Sequence, residues 1–391
     1  MKTVSRRVTS TILSMSLLTV MAGAAIAPAL GIIREHFASS PHLLVQLIVS
    51  IPALFIILTN IFFLQISRRL RTRSIAIVGL LLYVVSGAGC FFASNIYAIL
   101  ALRALLGISV GLVMPLSTGL LAYYFPPEEQ ARLMGLSAAM NQMGGVIATL
   151  LAGLLATIEW RYAFLVYLSG LIALLMVAAW LPDEQLGSEN KRGKAFEPRQ
   201  LLKFHPSVLG MFLLMMIFFI FPTNFAIVAE QQAGLGTTAI TFVMVGLDVV
   251  AFFVGLVFGN MMHPFRVQMK YFAPLFFLAG YLCYTFASGA VLIVSGSAFI
   301  GIANGVGVPY LNTIASIKGG RNSATTVMPL LSAALYLGQF LSPLVVMPAS
   351  RLLFGETDIA GPYKVGIIIC IVFFFQVWST RHFQSLPPEK Q

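Results

Sequence analysis

The sequence predicts an all-α membrane protein of twelve transmembrane helices, arranged as two pseudo-symmetric six-helix bundles with both termini cytoplasmic. Composition, long apolar segments and an internal repeat lead to this prediction. Of the 391 residues, 59% are hydrophobic and only 9% are charged, whereas soluble domains carry about 25% charged residues. Lipid offers no partner for backbone N–H and C=O groups, so spanning segments must be helices or closed barrels. The short alternating segments typical of a barrel are absent from this sequence.

Twelve apolar segments reach the length of roughly 18 or more residues that crosses a bilayer. They form two groups of six, at 9–33, 43–67, 74–94, 98–125, 135–157 and 162–181, then at 207–229, 238–262, 271–288, 290–317, 323–347 and 362–379. The only long polar segment, 182–205, lies between the groups. We therefore predict an N-terminal bundle at 1–181, a cytoplasmic linker at 182–205 and a C-terminal bundle at 206–391.

The N-terminus has the basic start and apolar stretch of a secretory signal. Its apolar run continues past residue 30, however, and exceeds the usual signal core of about 7–15 residues. Cleavage would also leave an odd number of helices. We therefore expect this segment to be the first transmembrane helix.

The distribution of basic residues predicts the orientation. With both termini inside, nineteen Lys and Arg residues fall in cytoplasmic segments and four fall outside, at Arg34, Arg161, Arg351 and Lys364. The positive-inside rule favours this arrangement. The net charge of +11 then reflects topology and contact with anionic lipid, and binding to nucleic acid is not expected.

An internal repeat relates the two groups of segments. The stretches "GISVGLVMP" (107–115) and "GIANGVGVP" (301–309) share Gly, Ile, Gly and Pro at the same spacing, 194 residues apart. Parallel halves of this kind place a binding site between them. We expect the small residues and prolines of the repeat region to serve helix packing or gating: Gly107, Gly111, Pro115, Gly144, Gly145, Gly301, Gly305, Pro309 and Gly338.

Only two ionisable residues lie well inside predicted spans, Arg103 and Asp248. A charge at the membrane centre costs about 3 kcal/mol on insertion scales, so such residues usually face a cavity and serve function. Asp248 lies about 15 Å deep at the helical rise, which makes it a candidate proton carrier; a structural hydrogen bond to a neighbouring helix is the alternative. Arg103 shares one helix face with Gly107 and Gly111, and snorkelling to the headgroups is its alternative. Whether the two residues pair is left open.

Neutral polar residues within the spans are candidates for the substrate cavity, although amides in lipid-buried helices also serve as interhelical hydrogen bonds. They are Gln46, Asn141, Gln142, Asn224, Asn304, Tyr310, Asn312, Tyr336 and Gln339.

No sequence feature indicates an enzyme, a metal site or a cofactor. Cys90, Cys283 and Cys370 lie in separate apolar segments without a C-x-x-C spacing, and no Walker A sequence is present. Transport would therefore draw its energy from an ion gradient or from the gradient of the substrate itself.

The chain resembles the major facilitator superfamily over its full length, and most of all its drug/proton antiporter branch. The stretch "RALLGISVG" (103–111) matches the R-x-x-x-G-x-x-x-G motif of the fourth helix. The loop "LQISRRLRTR" (64–73) keeps Arg69 and Arg73 of that family's loop between helices 2 and 3, but lacks its acidic residue. "NQMGGVIATLLAGLLA" (141–156) keeps the small residues of the antiporter signature without its proline, and "EWRYAF" (159–164) also fits the family.

The resemblance implies a secondary active transporter in a bacterial cytoplasmic membrane that exports small amphipathic organic compounds by proton antiport and alternating access. It implies that Arg103 takes part in proton coupling, and we expect a monomer whose partners are substrate, protons and lipid. Two alternatives stay open: a transporter of one specific metabolite, such as a sugar or a metal chelator, and a non-transporting sensor or scaffold.

Overall fold

The computed structural model describes most of the chain. The described residues are 5–26, 29, 32–33, 36–37, 42–156, 158–185, 202–234, 237–286, 289–320, 323–355 and 358–380. Within these ranges, the side chains at 42, 43, 45, 46, 202, 226–228, 230–233, 237, 238, 263, 266 and 323 lie outside the described set.

The described residues form thirteen α-helices, and two of them, α7 and α8, follow one another after a single residue. The helices are α1 (Arg6–Ala24), α2 (His42–Arg69), α3 (Thr72–Gly89), α4 (Ile96–Tyr124), α5 (Pro127–Ala156), α6 (Gly170–Trp180), α7 (His205–Phe218), α8 (Ile220–Ala233), α9 (Thr237–Phe265), α10 (Phe272–Thr285), α11 (Ala290–Gly319), α12 (Ser323–Phe354) and α13 (Gly361–Ser379). A 3-10 segment, Trp160–Ser169, leads into α6, and another, Arg266–Tyr271, leads into α10.

The helices confirm the all-α prediction, with twelve segments at the twelve predicted places when α7 and α8 are taken together. Eleven are long and apolar enough to cross a membrane within the described part of the chain. The helix α1 ends at Ala24, and the rest of the predicted first span, 9–33, lies partly outside the described residues. The predicted orientation of the termini and the division into six-helix bundles stay predictions.

The seventh span is interrupted at Phe219, between α7 and α8. Pro222 supplies no N–H for the carbonyl of Phe218, so the helical hydrogen-bond pattern cannot continue through this turn. Two side chains of α8 bond to backbone carbonyls in the same turn. The Thr223 hydroxyl donates to the carbonyl of Phe219 (2.7 Å), and the Asn224 amide donates to the carbonyl of Ile220 (2.9 Å).

The chain folds into two compact units. The first comprises Met1–Gln130, Met140–Leu201 and Ser316–Ala333. Within it α4 packs against α1, α2 and α3, and α3 packs against α6 and the 3-10 segment before it. The start of α12 belongs to the same unit, where the Asn60 amide donates to the Ser332 hydroxyl (2.8 Å).

The second unit comprises Ala131–Ala139, Leu202–Ala315 and Ala334–Gln391. Within it α13 packs against α10 and α7, and α8 contacts α9 and α13. The part of α5 at 131–139 crosses α9, and the two helices touch at a glycine of each. A methyl group on Gly135 would lie 2.5 Å from the carbonyl oxygen of Gly255, and one on Gly259 would lie 2.7 Å from the α-carbon of Arg132.

The contacts at the repeated glycines are similar in the two halves of the chain. A methyl group on Gly107 would lie 2.5 Å from the carbonyl oxygen of Pro52, and one on Gly301 would lie 2.7 Å from that of Leu247. Pro52 and Leu247 are 195 positions apart, close to the 194 that separate the glycines. The crossing of α2 with α4 is therefore the counterpart of the crossing of α9 with α11.

A tyrosine pair follows the same repeat. The Tyr83 hydroxyl donates to the carbonyl of Leu18 in α1 (3.2 Å), and the Tyr281 hydroxyl donates to the carbonyl of Ile217 in α7 (2.5 Å). These contacts hold α3 to α1 in the first unit and α10 to α7 in the second. The two halves of the sequence thus use the same helix pairs.

Candidate functional site

Arg103 lies inside the first unit with 0% of its surface exposed. Its Nε donates to the carbonyl of Ile48 in α2 (2.8 Å). Its Nη1 donates to the carbonyl of Ala22 in α1 (3.0 Å) and to the hydroxyl of Tyr167 (2.7 Å). The guanidinium therefore joins α1, α2, α4 and the 3-10 segment before α6 at one point.

The backbone explains why carbonyls are available to this arginine. Pro52 stands four residues after Ile48 and has no N–H, so the carbonyl of Ile48 has no helical donor. The carbonyl of Ala22 lies in the last turn of α1, whose terminal carbonyls also lack helical partners. A cation at the C-terminal end of a helix is favoured by the helix dipole. Arg103 thus replaces a missing backbone donor in α2 and caps α1.

Tyr167 completes this arginine cluster, which consists of Ala22, Ile48, Arg103 and Tyr167. The Tyr167 hydroxyl accepts from Arg103 and donates to the carbonyl of Ala22 (2.9 Å). Nη2 of Arg103 has no hydrogen-bond partner among the described residues. Both N–H donors of this nitrogen are therefore left over on a buried cation.

This geometry decides between the two interpretations of Arg103. Complete burial rules out snorkelling, since a snorkelling side chain exposes its charged end. Among the described residues, no carboxylate forms an ion pair with Arg103. With no accessible surface, the guanidinium also cannot touch a substrate in this conformation.

Asp248 lies in α9 and is partly buried. By helical periodicity it shares a stripe with Gly255 and Gly259, the residues at which α9 crosses α5 in the second unit. Gly255 follows Asp248 by seven residues, about 10 Å along the helix axis. A carboxylate therefore lies two turns from a crossing that has no room for a side chain.

The polar residues predicted for the cavity fall into two groups according to their bonds. Asn141 accepts a hydrogen bond from the Thr19 hydroxyl (2.8 Å), and Asn224 donates to Ile220 and Thr223. Asn141 thus joins α5 to α1, whereas both bonds of Asn224 lie within α8. Asn304 is 7% exposed, and its Oδ1 has no partner among the described residues, so it keeps an acceptor for a ligand or a water.

The remaining candidates differ in burial. Tyr310 is buried, while the partly buried ones are Gln142, Asn312, Tyr336 and Gln339. The side chain of Gln46 lies outside the described residues.

Most glycines of the repeat region pack closely against neighbouring helices. Gly111 faces Thr59 of α2, Gly305 faces Ala251 of α9, and Gly145 faces Val20 of α1. Pro115 and Pro309 both lie within helices, α4 and α11. A methyl group on Gly144 would meet the carbonyl of Leu17, and one on Gly338 would lie 3.0 Å from the backbone nitrogen of Met216.

The loop between α2 and α3 binds the end of α6 through basic side chains. Arg73 donates to the carbonyl of Ala178, and Arg71 pairs with Asp183. Arg69 is exposed. Asp183, in the segment that follows α6, is thus the acidic partner of Arg71.

Sequence reasoning missed Pro52, Tyr167 and Asp183. Pro52 carried a usable signal, because a proline inside an apolar span always frees a carbonyl that needs another donor. Tyr167 carried none, since nothing in its local sequence separates it from the other aromatic residues near helix ends.

The fold and this site are those of a multi-pass helical membrane protein. Its internal repeats, and the ionisable groups buried in its spans, are typical of membrane transporters. The sequence profile of the Major Facilitator Superfamily matches residues 12–343. The chain belongs to this superfamily of transporters, as its motifs predicted.

Curated relatives include a bacterial drug-resistance protein and a plant anion transporter. The quinolone resistance protein NorA of Staphylococcus aureus strain MSSA476 is 26% identical over 298 residues, covering 68% of this chain and 74% of that protein. A probable chloroplastic anion transporter of Arabidopsis thaliana is 33% identical over 89 residues, covering 22% of this chain and 16% of that protein.

Solved structures share the fold. The human organic anion transporter MFSD10 (TETRAN) superposes with a TM-score of 0.77 at 16% identity, covering 95% of this chain and 99% of that one. The proton:xylose symporter XylE gives a TM-score of 0.76 at 15% identity, with 95% of each chain covered. At these identities the likeness shows the fold alone.

Proposed function

We propose that this protein exports small amphipathic organic compounds across a bacterial cytoplasmic membrane in exchange for protons, by alternating access. The superfamily supports a transporter of small molecules, and the similarity to a quinolone resistance protein favours drug-like cargo over a single sugar. The 31 Phe and 17 Met residues suit a cavity that accepts varied apolar shapes. Both termini would then lie in the cytoplasm.

The observation that carries the proton coupling is Asp248. It is the only acidic residue deep within a predicted span, and a carboxyl group there can take up and release a proton as access alternates. Asp248 lies on the same face of α9 as the glycines at which α9 crosses α5. A change of charge at Asp248 would therefore act on a helix that also forms a close helix–helix contact.

Arg103 would act as a positioning residue in this mechanism. Its four-element hydrogen-bond cluster keeps α1, α2 and α4 together at one end, so that these helices can move as one body. The unpaired Nη2 leaves two N–H donors for a partner that binds in another conformation. Asn304, with its free acceptor, is the first candidate for substrate contact in the second unit.

Proteoliposomes with an imposed pH gradient test the proposal. We expect a fluorescent quinolone to move against its own gradient with the wild-type protein and with Glu128→Gln, which removes an exposed acid at the start of α5. Asp248→Asn should abolish this uphill movement while substrate-for-substrate exchange continues. Uphill transport by Asp248→Asn at the wild-type rate would remove Asp248 from the coupling mechanism.

A second measurement separates drug export from the alternatives. Thermal unfolding in the presence of a panel of compounds should show stabilisation by several unrelated amphipathic molecules. Strong stabilisation by one sugar or one chelator alone would favour a specific metabolite transporter, and binding without any transport would favour a sensor.

A further inference from the structure

A small cavity of about 110 Å³ lies between α2 and the start of α12 in the first unit. Asn60 and Ile61 line it from α2, and Thr325, Pro329 and Leu330 line it from α12. Among the described residues that line it, none is proposed above for proton coupling or substrate contact. The cavity is therefore separate from the sites described so far.

Asn60 brings an unused hydrogen-bond acceptor to this cavity. The residue is buried, with 3% of its surface exposed, and its amide nitrogen donates to the Ser332 hydroxyl (2.8 Å). Its Oδ1 has no hydrogen-bond partner among the described residues. A buried amide oxygen without a donor is costly, and most such atoms in folded proteins are bonded to protein or to a bound molecule. A donor can reach this oxygen from the cavity that Asn60 lines.

Pro329 provides a second acceptor in the wall. It has no N–H, so the carbonyl of Thr325, four residues earlier, loses its helical donor. The same situation arises in α2 at Pro52, where the freed carbonyl of Ile48 accepts from the buried Arg103. The described residues that line this cavity include no basic side chain that could act in the same way. Two acceptors on facing helices are thus available to a ligand that carries donors.

Contacts beside the cavity fix the position of its walls. The bond between Asn60 and Ser332 joins α2 to α12. The start of α12 also packs closely on α4, since a methyl group on Gly119 would lie 2.8 Å from the α-carbon of Ala324. A cavity needs about 10–15 Å³ to hold one water. This cavity can therefore admit a polar group with several carbon atoms attached.

The lining residues define the class of ligand. The described ones are all uncharged, so a charged group would have no counter-ion there. The positive end of the α12 dipole disfavours a cation, and two free acceptors disfavour an anion. A neutral group with N–H or O–H donors fits both walls. Hydrocarbon fits the mouth, because Ile61 is 54% exposed on a helix that is apolar enough to cross a membrane.

We propose that the cavity between α2 and α12 binds the neutral donor group of an amphipathic molecule dissolved in the membrane, such as a primary amide, through Oδ1 of Asn60 and the carbonyl of Thr325. The hydrocarbon part of the molecule leaves the cavity past Ile61 into the lipid. The bound molecule joins α2 to α12 beside the bond between Asn60 and Ser332, and it stabilises that contact. The proposal concerns binding alone and does not rest on proton-coupled export.

Two probes with the same hydrocarbon tail test the proposal. Octanamide carries two N–H donors, whereas N,N-dimethyloctanamide carries none. Thermal unfolding of the delipidated protein in detergent is followed while each compound is added. Because two hydrogen bonds distinguish the probes, octanamide should raise the melting temperature of the wild-type protein at a concentration about tenfold lower than the dimethyl compound requires. Equal potency of the two probes would overturn the proposal.

Asn60→Leu removes the free acceptor, and the preference for octanamide should then largely disappear. Ser332→Ala is the matched control, because it also breaks the bond between Asn60 and Ser332 but keeps Oδ1 of Asn60. The control should retain the preference. A preference of the wild-type size in Asn60→Leu would show that the amide binds elsewhere.

Pro329→Ala tests the second acceptor, because it returns an N–H to the carbonyl of Thr325. This variant should also lose most of the preference for octanamide. Pro348→Ala is the control in the same helix, since the carbonyl that it affects, that of Leu344, does not line the cavity. An equal loss in both proline variants would contradict the role of the Thr325 carbonyl.

Fluorescence quenching gives a second readout that does not depend on stability. Ile61→Trp places an indole at the mouth of the cavity, and octanamide that carries bromine at its terminal carbon quenches an adjacent indole. The added fluorescence should be quenched, and Asn60→Leu in the same protein should reduce the quenching several-fold. Absence of quenching would mean that the cavity holds water only, and quenching that ignores Asn60→Leu would mean non-specific contact; either result refutes the site. Quenching by a brominated phosphatidylglycerol that depends on Asn60 and that octanamide does not relieve would assign the cavity to lipid and also overturn the proposal.

Discussion

The coupling between Pro52 and Arg103 is the sharpest consequence of the arginine cluster. Arg103→Met keeps a long side chain in the same space but removes every donor of the guanidinium. The carbonyl of Ala22 would still accept from Tyr167. The carbonyl of Ile48 would have no donor left, because Pro52 has no N–H.

The expected magnitude follows from that one carbonyl. A buried acceptor without a partner costs about 1–3 kcal/mol. Removing the guanidinium also removes the desolvation cost of a buried charge. The change in unfolding free energy of the single variant therefore combines a loss, from the unpaired carbonyl, with a gain, from the removed charge. Pro52→Ala restores a backbone N–H for Ile48, and it affects only the first term. The two substitutions should therefore couple by about 1–2 kcal/mol.

A double-mutant cycle measures this coupling. The free energy of unfolding is determined in detergent for the wild-type protein, both single variants and the double variant. Arg103→Met should be less destabilising, by the coupling energy, in the Pro52→Ala background than in the wild-type background. Pro115→Ala is the control proline, because it lies in α4 and the carbonyl that it frees, that of Gly111, is not bonded to Arg103.

Additive effects of Pro52→Ala and Arg103→Met, within about 0.5 kcal/mol, would refute the reasoning. The reasoning would also be refuted if Pro115→Ala coupled to Arg103→Met as strongly as Pro52→Ala does. In either case the carbonyl of Ile48 would not be the partner that makes Arg103 structurally necessary.

Three further predictions concern packing and hydrogen bonding, each measured as a shift in melting temperature. Gly135→Ala should destabilise the protein by about 1–3 kcal/mol, since its methyl group would lie 2.5 Å from a carbonyl oxygen of α9. Gly246→Ala, where a methyl group meets no neighbour within 4 Å, should stabilise the protein by up to about 1 kcal/mol. Equal effects of the two substitutions would contradict the close crossing of α5 with α9. Tyr167→Phe should cost about 1–2 kcal/mol, because both of its hydrogen bonds are buried, and a neutral result would show that the hydroxyl is dispensable. Arg71→Ala should change stability by less than about 1 kcal/mol, since its pair with Asp183 is exposed, and a larger loss would indicate a structural ion pair.

The chain order of the helices could be predicted because each span is apolar for its whole length. The ends of the helices were harder to predict near a proline inside a span, as at Pro222. The break at Phe219 follows from one missing N–H, yet many prolines in membrane helices leave the helix continuous, as Pro115 does in α4.

The candidate site was only partly predictable. Arg103 and Asp248 stand out in the sequence because charge in an apolar span is costly. The neighbours of these two residues cannot be read from the sequence. A helix that is apolar all round has no periodicity that would distinguish its lipid-facing side from its protein-facing side. The snorkelling alternative for Arg103 could therefore be excluded only by its burial in the folded chain.

By itself the sequence determined the membrane class, the twelve spans, the two embedded charges and the repeat of about 194 residues, since all of these depend on hydrophobicity and spacing along the chain. Tertiary structure decided which groups meet. Arg103 bonds to Ala22, 81 positions away, and to Tyr167, 64 positions away, and no local pattern encodes such a distance. Folding brings these groups together because a buried guanidinium and unpaired carbonyls in hydrocarbon must satisfy one another.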